Sequence, residues 1–142
     1  MKKPFHIGIA GPIFLPSLKS IMENFDSTWP KGKGGVPVNH LIIALFDLGY
    51  KLSVYSSSPE IKVGKSFEYH QENLSIYIGP FRKRAISRCI DFFYEEKKYI
   101  SQIIKRTKPD FVHAHWQYEW AWGSLNSGIP TLITCHDDPI QV

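Results

Sequence analysis

The chain has 142 residues, the length of one ordinary domain, and it can bury a core without disulfides or metal ions. Hydrophobic residues make up 43% and charged residues 21%, which excludes a disordered tail and a coiled coil. A formal net charge of +4 is too small to indicate a nucleic-acid partner, so we expect none. No apolar run approaches the roughly 18 residues of a membrane span, and the two cysteines match no zinc or redox motif. We therefore expect a reduced, cytoplasmic protein.

The first third of the chain predicts a strand, a long loop and a helix. An apolar run at 5–10 ends at Gly11, which is typical of a buried strand. Residues 11–35 form a loop rich in glycine near its end, and loops of this length in compact domains are usually functional or disordered. A helix begins at Pro37 and ends at Gly49. The side chains predicted to face the core from this helix are Leu41, Ile42, Leu45 and Leu48.

The rest of the chain predicts strands that alternate with helices. The strands are expected at 52–56, 74–78, 111–114 and 131–135. Residues 57–73 are expected to be irregular, one long helix at 82–107, and a tryptophan-rich helix at 116–125. This alternation predicts an α/β fold with a doubly wound, mainly parallel sheet. Because no helix follows the last predicted strand, we expect the single domain 1–142 to be incomplete at its C-terminal end.

Polar side chains gather where the predicted strands end. Ligands of open α/β sheets bind beyond the carboxyl ends of the strands. The glycine loop 32–35 precedes the first helix, His113 and His115 lie in the fourth predicted strand or at its end, and His136 and Asp137 follow the fifth. We therefore expect these three segments to converge on one site.

Two of these segments have alternative interpretations. The glycine loop 32–35 resembles neither a P-loop nor GxGxxG, and it is either an anion-binding helix start or a flexible turn. His113 and His115 point to one face of their strand. They predict either a metal site completed by His136 and Asp137, or one histidine packed in the sheet and one at its rim.

Two further groups have both a structural and a binding interpretation. The first consists of basic residues that form a solvated helix face or contact anionic lipid headgroups: Arg82, Lys83, Arg84 and Arg88. The second consists of aromatic residues that pack in the core or at its rim, or stack on a sugar or lipid: Trp116, Tyr118, Trp120 and Trp122.

Several segments, in order and at compatible spacings, resemble the N-terminal domain of glycosyltransferase family four. They are the glycines at 34–35, the helix ending in Gly49, the LSVYS strand, the PDFVHAH run at 109–115, and the GIPTLITCHD run at 128–137. Tyr50 stands where the family usually has histidine. The resemblance covers nearly the whole chain. It implies the Rossmann-like, acceptor-side half of a retaining GT-B enzyme, without the C-terminal domain that binds the donor.

The resemblance also implies roles for individual residues. Gly34, Gly35 and Asp137 would bind the nucleotide-sugar donor, and the candidate catalytic residues are His136 and His115. His136 would hydrogen-bond the transferred sugar or its phosphate, and His115 would shape the wall between donor and acceptor. The acceptor-side candidates are Trp116 and Trp120. No catalytic base, metal or cofactor is implied.

We therefore expect part of a glycosyltransferase that moves a sugar onto a glycan or lipid-linked acceptor and that is inactive as this chain alone. Peripheral association with the inner face of a membrane is a further expectation. The alternatives are a metal-dependent hydrolase that uses the HxH pair, and a non-catalytic module that binds sugars or nucleotides.

Overall fold

The computed structural model describes residues 3–136, which form one six-stranded sheet with helices on both sides. The strands are β1 His6–Ala10, β2 Lys51–Ser58, β3 Phe67–Gln71, β4 Leu74–Pro80, β5 Phe111–His115 and β6 Thr131–Thr134. The helices are α1 Val36–Asp47, α2 Ala85–Ile90, α3 Tyr94–Thr107, α4 Tyr118–Asn126 and a 3₁₀-helix at Leu15–Ile21. Within residues 3–136, every helix is too short or too polar to cross a bilayer.

The strand order β3-β4-β2-β1-β5-β6 makes β1 the centre of the sheet. β1 pairs in parallel with both β2 and β5, and the parallel pairing continues outward to β4 and β6. Only β3 is antiparallel to its neighbour in this sheet. The chain order reverses between β1 and β5, which opens a crevice at their carboxyl ends. The prediction of an α/β, mainly parallel sheet is confirmed.

Each face of the sheet carries its own hydrophobic core. On one face, Ile9 and Val54 pack with Ile42 of α1 and with the 3₁₀-helix. On the other face, Ala10 and Val112 pack with α3 and α4. Sheets covered on both faces have strands without polar alternation, which is why the apolar runs were visible in the sequence. The sheet is therefore doubly wound, as predicted.

Two segments predicted to be irregular contain regular structure. The loop 11–35 includes the 3₁₀-helix, which buries Leu15, Leu18 and Ile21. The segment 57–73 includes the edge strand β3, which turns into β4 at Asn73 with a positive φ of 64°. An edge strand has only one partner and a half-solvated face, so β3 lacks the apolar run that marks the central strands.

The long helix predicted at 82–107 is broken, and the prediction is wrong there. Phe92 and Phe93 adopt positive φ angles of 52° and 58° and separate α2 from α3. The side chain of Asp91, at the end of α2, is held by Arg82. None of the residues of α2 is buried. The predicted face of α1 is also partly wrong, because Leu48 is 73% exposed, beyond the end of the helix.

Candidate functional site

At the crevice between β1 and β5, the segment after β1 packs closely against the end of β5. Gly11 follows β1, and its N–H donates to the carbonyl of Tyr55 at 3.0 Å. A Cβ at Gly11 would lie only 3.1 Å from Cβ of His115. The absence of a side chain at Gly11 therefore lets His115 sit directly against the central strand.

Three histidines meet at the end of β5 and β6. The ring centroids of His113 and His115 are 4.1 Å apart, and those of His115 and His136 are 5.3 Å apart. Nδ1 of His115 lies 3.0 Å from Nε2 of His136, within hydrogen-bond distance. The ring of Trp116 stacks on His136 at 4.2 Å. The convergence of the two strand ends is confirmed, whereas Asp137 lies outside the described residues.

The contacts among these rings bear on the metal alternative. His113 bonds Thr134 Oγ1 through Nε2 at 2.7 Å, and His115 uses Nδ1 for its contact with His136. A metal ion would have to replace these two contacts, and Asp137, the remaining ligand of the metal alternative, lies outside the described residues. In the chain from 3 to 136, no group of three His, Cys, Asp or Glu side chains is arranged to hold a metal ion.

Burial keeps the central histidine neutral. His115 is 4% exposed, and burial lowers its pKa to about 4, with smaller contributions from His113 and His136. Burial also lowers the pKa of His113. Nε2 of His115 is buried with no hydrogen-bond partner among residues 3–136. His115 is therefore neutral near pH 7 and shares one hydrogen bond with His136.

We expect this neutral histidine to make folding sensitive to acid. Because the folded-state pKa of about 4 lies below the ordinary histidine value of 6.5, the contribution of His115 to stability is complete above pH 6.5 and is lost as pH falls toward 4. The expected loss is roughly 3 kcal/mol of unfolding free energy. Denaturant titrations of wild type and His115→Asn between neutral and acid pH measure it, because contributions from other groups cancel in the difference. Parallel curves for the two proteins would show that His115 is not held neutral.

The glycine loop lies against the segment that follows β1. Gly35 is the N-cap of α1 with φ at 92°, and a Cβ on it would overlap the carbonyl oxygen of Pro12. The N–H of Lys33 donates to the carbonyl of Ile13 at 3.0 Å. Gly34, with φ at 69°, has open space around its Cβ position. Gly35 therefore lets the loop pack closely against the backbone of Pro12. Gly34 has open space beside it, where a ligand could approach the backbone.

An aromatic cavity of about 290 Å³ lies beside the histidine cluster. It contains both predicted acceptor-side residues, Trp116 and Trp120. Trp116 connects the cavity to the cluster, since its ring also stacks on His136. Trp122 lies outside this lining, with the Lys97 ammonium 3.7 Å from its ring centroid.

Glu119 also lines this cavity, and it was not among the residues predicted from the sequence. It lies in the first turn of α4 and is 3% exposed. Burial, with a smaller contribution from Glu96, raises its pKa to about 7, although a hydrogen bond from its own backbone N–H and the charges of Arg88 and Lys33 act in the opposite direction. The signal in the sequence is a lone acid within the aromatic run WQYEW at 116–120.

The structure divides the four predicted basic residues into two pairs. Arg82 donates to both carboxylate oxygens of Asp91, at 2.6 and 2.8 Å, and its Nε donates to the fully buried Glu96. Arg88 donates to the carbonyl of Arg82, and its guanidinium lies 4.2 Å from the ring centroid of Phe81. Lys83 and Arg84 are exposed.

A protein-family comparison covers most of this sheet and its site. The family model described as Glycosyltransferase Family 4 matches residues 35–140. The matched range runs from the glycine at the start of α1 past the histidine cluster. Comparison with curated proteins and with solved structures gives no significant match.

Proposed function

Because the chain belongs to glycosyltransferase family 4, we propose that it is the acceptor-side part of a retaining GT-B enzyme. It would take a sugar from a nucleotide donor and pass it to a glycan or lipid-linked acceptor. The observation that carries this proposal is the contact of His115 and Trp116 with His136, which places a polar ring between the crevice and an aromatic cavity.

In this proposal His136 is the catalytic residue and His115 positions it. His136 is exposed, so its imidazole can meet a sugar hydroxyl or a phosphate oxygen. The hydrogen bond between the two imidazole rings and the stacking of Trp116 hold its orientation. A preoriented donor is most effective where negative charge develops during transfer, as on the leaving diphosphate.

The donor side is proposed to use the start of α1. Among residues 3–136, no side chain caps the N-terminus of this helix, so the amide groups of its first turn, apart from Pro37, which has none, are proposed to bind a phosphate beside Gly34 and Gly35. Asp137 is proposed to assist there. We further propose that a second domain supplies most of the donor contacts, and that the present chain alone does not turn over.

The test is nucleotide release from a panel of nucleotide sugars. We expect release by a two-domain protein in the presence of a glycan or lipid-linked acceptor, and none by the 142-residue chain alone. The 142-residue chain would form only one wall of the cleft, so a bound diphosphate would stay exposed to water, where electrostatic contacts are weak. The dissociation constant of the donor for this chain should therefore be about millimolar or higher. Multiple turnover by the chain alone would contradict the two-domain proposal. Sugar binding without transfer by the two-domain protein would favour the non-catalytic module.

We also propose peripheral association with the cytoplasmic face of a membrane through α2 and the turn before it. Ile86 and Ile90 are 66% and 74% exposed, and the exposed cations Lys83 and Arg84 adjoin them. Apolar side chains next to basic ones are typical of helices that lie on anionic bilayers.

We expect the chain to bind vesicles of phosphatidylglycerol and phosphatidylcholine in low salt. Each basic residue near the surface should contribute about 1 kcal/mol, and added salt should weaken binding. Co-sedimentation should show a loss of binding for Lys83→Ala/Arg84→Ala and no loss for Lys19→Ala/Lys65→Ala, which removes the same charge elsewhere. Equal binding by the two double variants would refute the proposal.

A further inference from the structure

The cavity beside the histidine cluster has both ring-stacking surfaces and charged groups. Its volume of about 290 Å³ is near the lower end for pockets that hold small molecules. The residues of the lining that matter here are Lys33, Phe81, Arg88, Trp116, Glu119 and Trp120. They come from the glycine loop, from the segments around α2, and from the start of α4. The cavity therefore lies where segments from distant parts of the chain meet.

The carboxyl group of Glu119 is buried without a counterion. Neighbouring Glu96 accepts hydrogen bonds from Arg82 at 3.1 and 3.2 Å on its two oxygens. Glu119, by contrast, forms no ion pair with any residue between 3 and 136. The two cations of the cavity lie over the ring of Phe81, with Lys33 Nζ at 5.0 Å and the Arg88 guanidinium at 4.2 Å from its centroid.

Two donors of the same lining are also unused. Nε of Arg88 and Nε1 of Trp120 are buried, and neither has a hydrogen-bond acceptor in the part of the chain that the structure describes. Buried polar atoms in folded proteins nearly always have a partner in the protein, in ordered water or in a ligand. These two donors leave the described lining with hydrogen-bonding groups that its own contacts do not satisfy, and the Glu119 carboxyl in the same lining has no ion-pair partner among residues 3–136.

We propose that this cavity binds a saccharide ring of the acceptor and that the Glu119 carboxyl accepts hydrogen bonds from its hydroxyl groups. The inference rests on the proposed function, because it names an acceptor-binding residue. A sugar ring combines an apolar C–H face, which packs on aromatic rings, with hydroxyls that both donate and accept. A carboxylate accepts strong, charge-assisted hydrogen bonds from such hydroxyls.

The NMR signals of the tryptophan indole N–H groups report on ligand binding to this cavity in solution. The four tryptophans give four signals, which single Trp→Phe variants assign. Methyl glucopyranoside, methyl mannopyranoside and methyl N-acetylglucosaminide are titrated separately at mildly alkaline pH, where Glu119 is ionised. With at least one of them, we expect saturable shifts for Trp116 and Trp120. We expect none for Trp29, which packs against Phe25, Phe67 and Tyr69 away from the cavity.

Matched variants assign the binding to Glu119. We expect Glu119→Gln to raise the dissociation constant of the saccharide at least about 5-fold, because a neutral amide accepts a weaker hydrogen bond than a carboxylate. Glu72→Gln removes the same charge from the exposed turn between β3 and β4 and should leave binding unchanged. The unshifted Trp29 signal shows that each variant is folded.

Three outcomes would overturn the inference. They are no saturable shift with any neutral saccharide, binding only of anionic glucuronate or glucose 6-phosphate, and saccharide binding that Glu119→Gln leaves unchanged. No nucleotide sugar is present in this experiment. Absence of saccharide binding in this titration would therefore not contradict the transferase proposal. Absence of nucleotide release by a two-domain protein would likewise not contradict saccharide binding by the cavity.

Discussion

Replacing Gly35 by alanine should lower the free energy of unfolding by at least about 3 kcal/mol. The residue has φ at 92°, and the added Cβ would overlap the carbonyl oxygen of Pro12. That oxygen belongs to backbone held in place by the hydrogen bond from Lys33 N–H to the carbonyl of Ile13. Relief therefore requires the glycine loop or the segment after β1 to move, and both border the crevice.

Gly34→Ala is the matched control for this substitution. Gly34 also has a positive φ, of 69°, but its Cβ position is open. Only the conformational strain remains, and the expected cost is about 1 kcal/mol. Urea unfolding of the two variants compares them directly. Equal destabilisation would mean that the loop does not lie against Pro12 as described.

Arg82→Ala should lower the free energy of unfolding by roughly 3 to 5 kcal/mol, because it leaves a buried carboxylate without its counterion. Glu96 is fully buried, and both its oxygens accept hydrogen bonds from Arg82. The same guanidinium holds Asp91 at the break between α2 and α3. Loss of Arg82 therefore removes the contact that holds Asp91 at the break between α2 and α3, and it leaves the Glu96 carboxylate without a counterion.

The neighbouring Lys83 is the control, since it is exposed and its change to alanine should alter stability by less than about 0.5 kcal/mol. Adding Glu96→Gln to Arg82→Ala should recover part of the loss, because it removes the unpaired charge. Thermal or urea unfolding measures all three proteins. If Arg82→Ala unfolds like Lys83→Ala, the ion pair contributes little to stability.

The central strands could be predicted from the sequence, whereas the edge strand and the helix break could not. Apolar runs such as that of β1 follow from burial on both faces. β3, with the sequence FEYHQ, has one strand partner and mixed burial, so its sequence carries no such run. Apolar spacing continues across Asp91, and the break there depends on Arg82, nine residues earlier, folding back onto it.

The convergence of the histidines followed from topology alone, because the carboxyl ends of adjacent parallel strands meet at one edge. The burial of Glu119 could not be predicted in this way. It depends on the packing of α3 against α4, where a Cβ at Gly123 would lie 2.9 Å from Cβ of Ile100. The predicted donor role of Gly34 and Gly35 remains a proposal, since the structure accounts for Gly35 by its packing on Pro12.

His136 is proposed to act on the transferred sugar or its phosphate. In a protein that carries this chain with a donor-binding domain, we expect His136→Ala to lower kcat on the order of 100-fold, as losses of a single transition-state donor do. Donor affinity should change little, and His40→Ala, on the exposed side of α1, should leave kcat unchanged. The measurement is steady-state nucleotide release with the acceptor saturating. A large fall in kcat at nearly constant donor affinity is the predicted result, and an unchanged kcat in a folded His136→Ala protein would contradict the account.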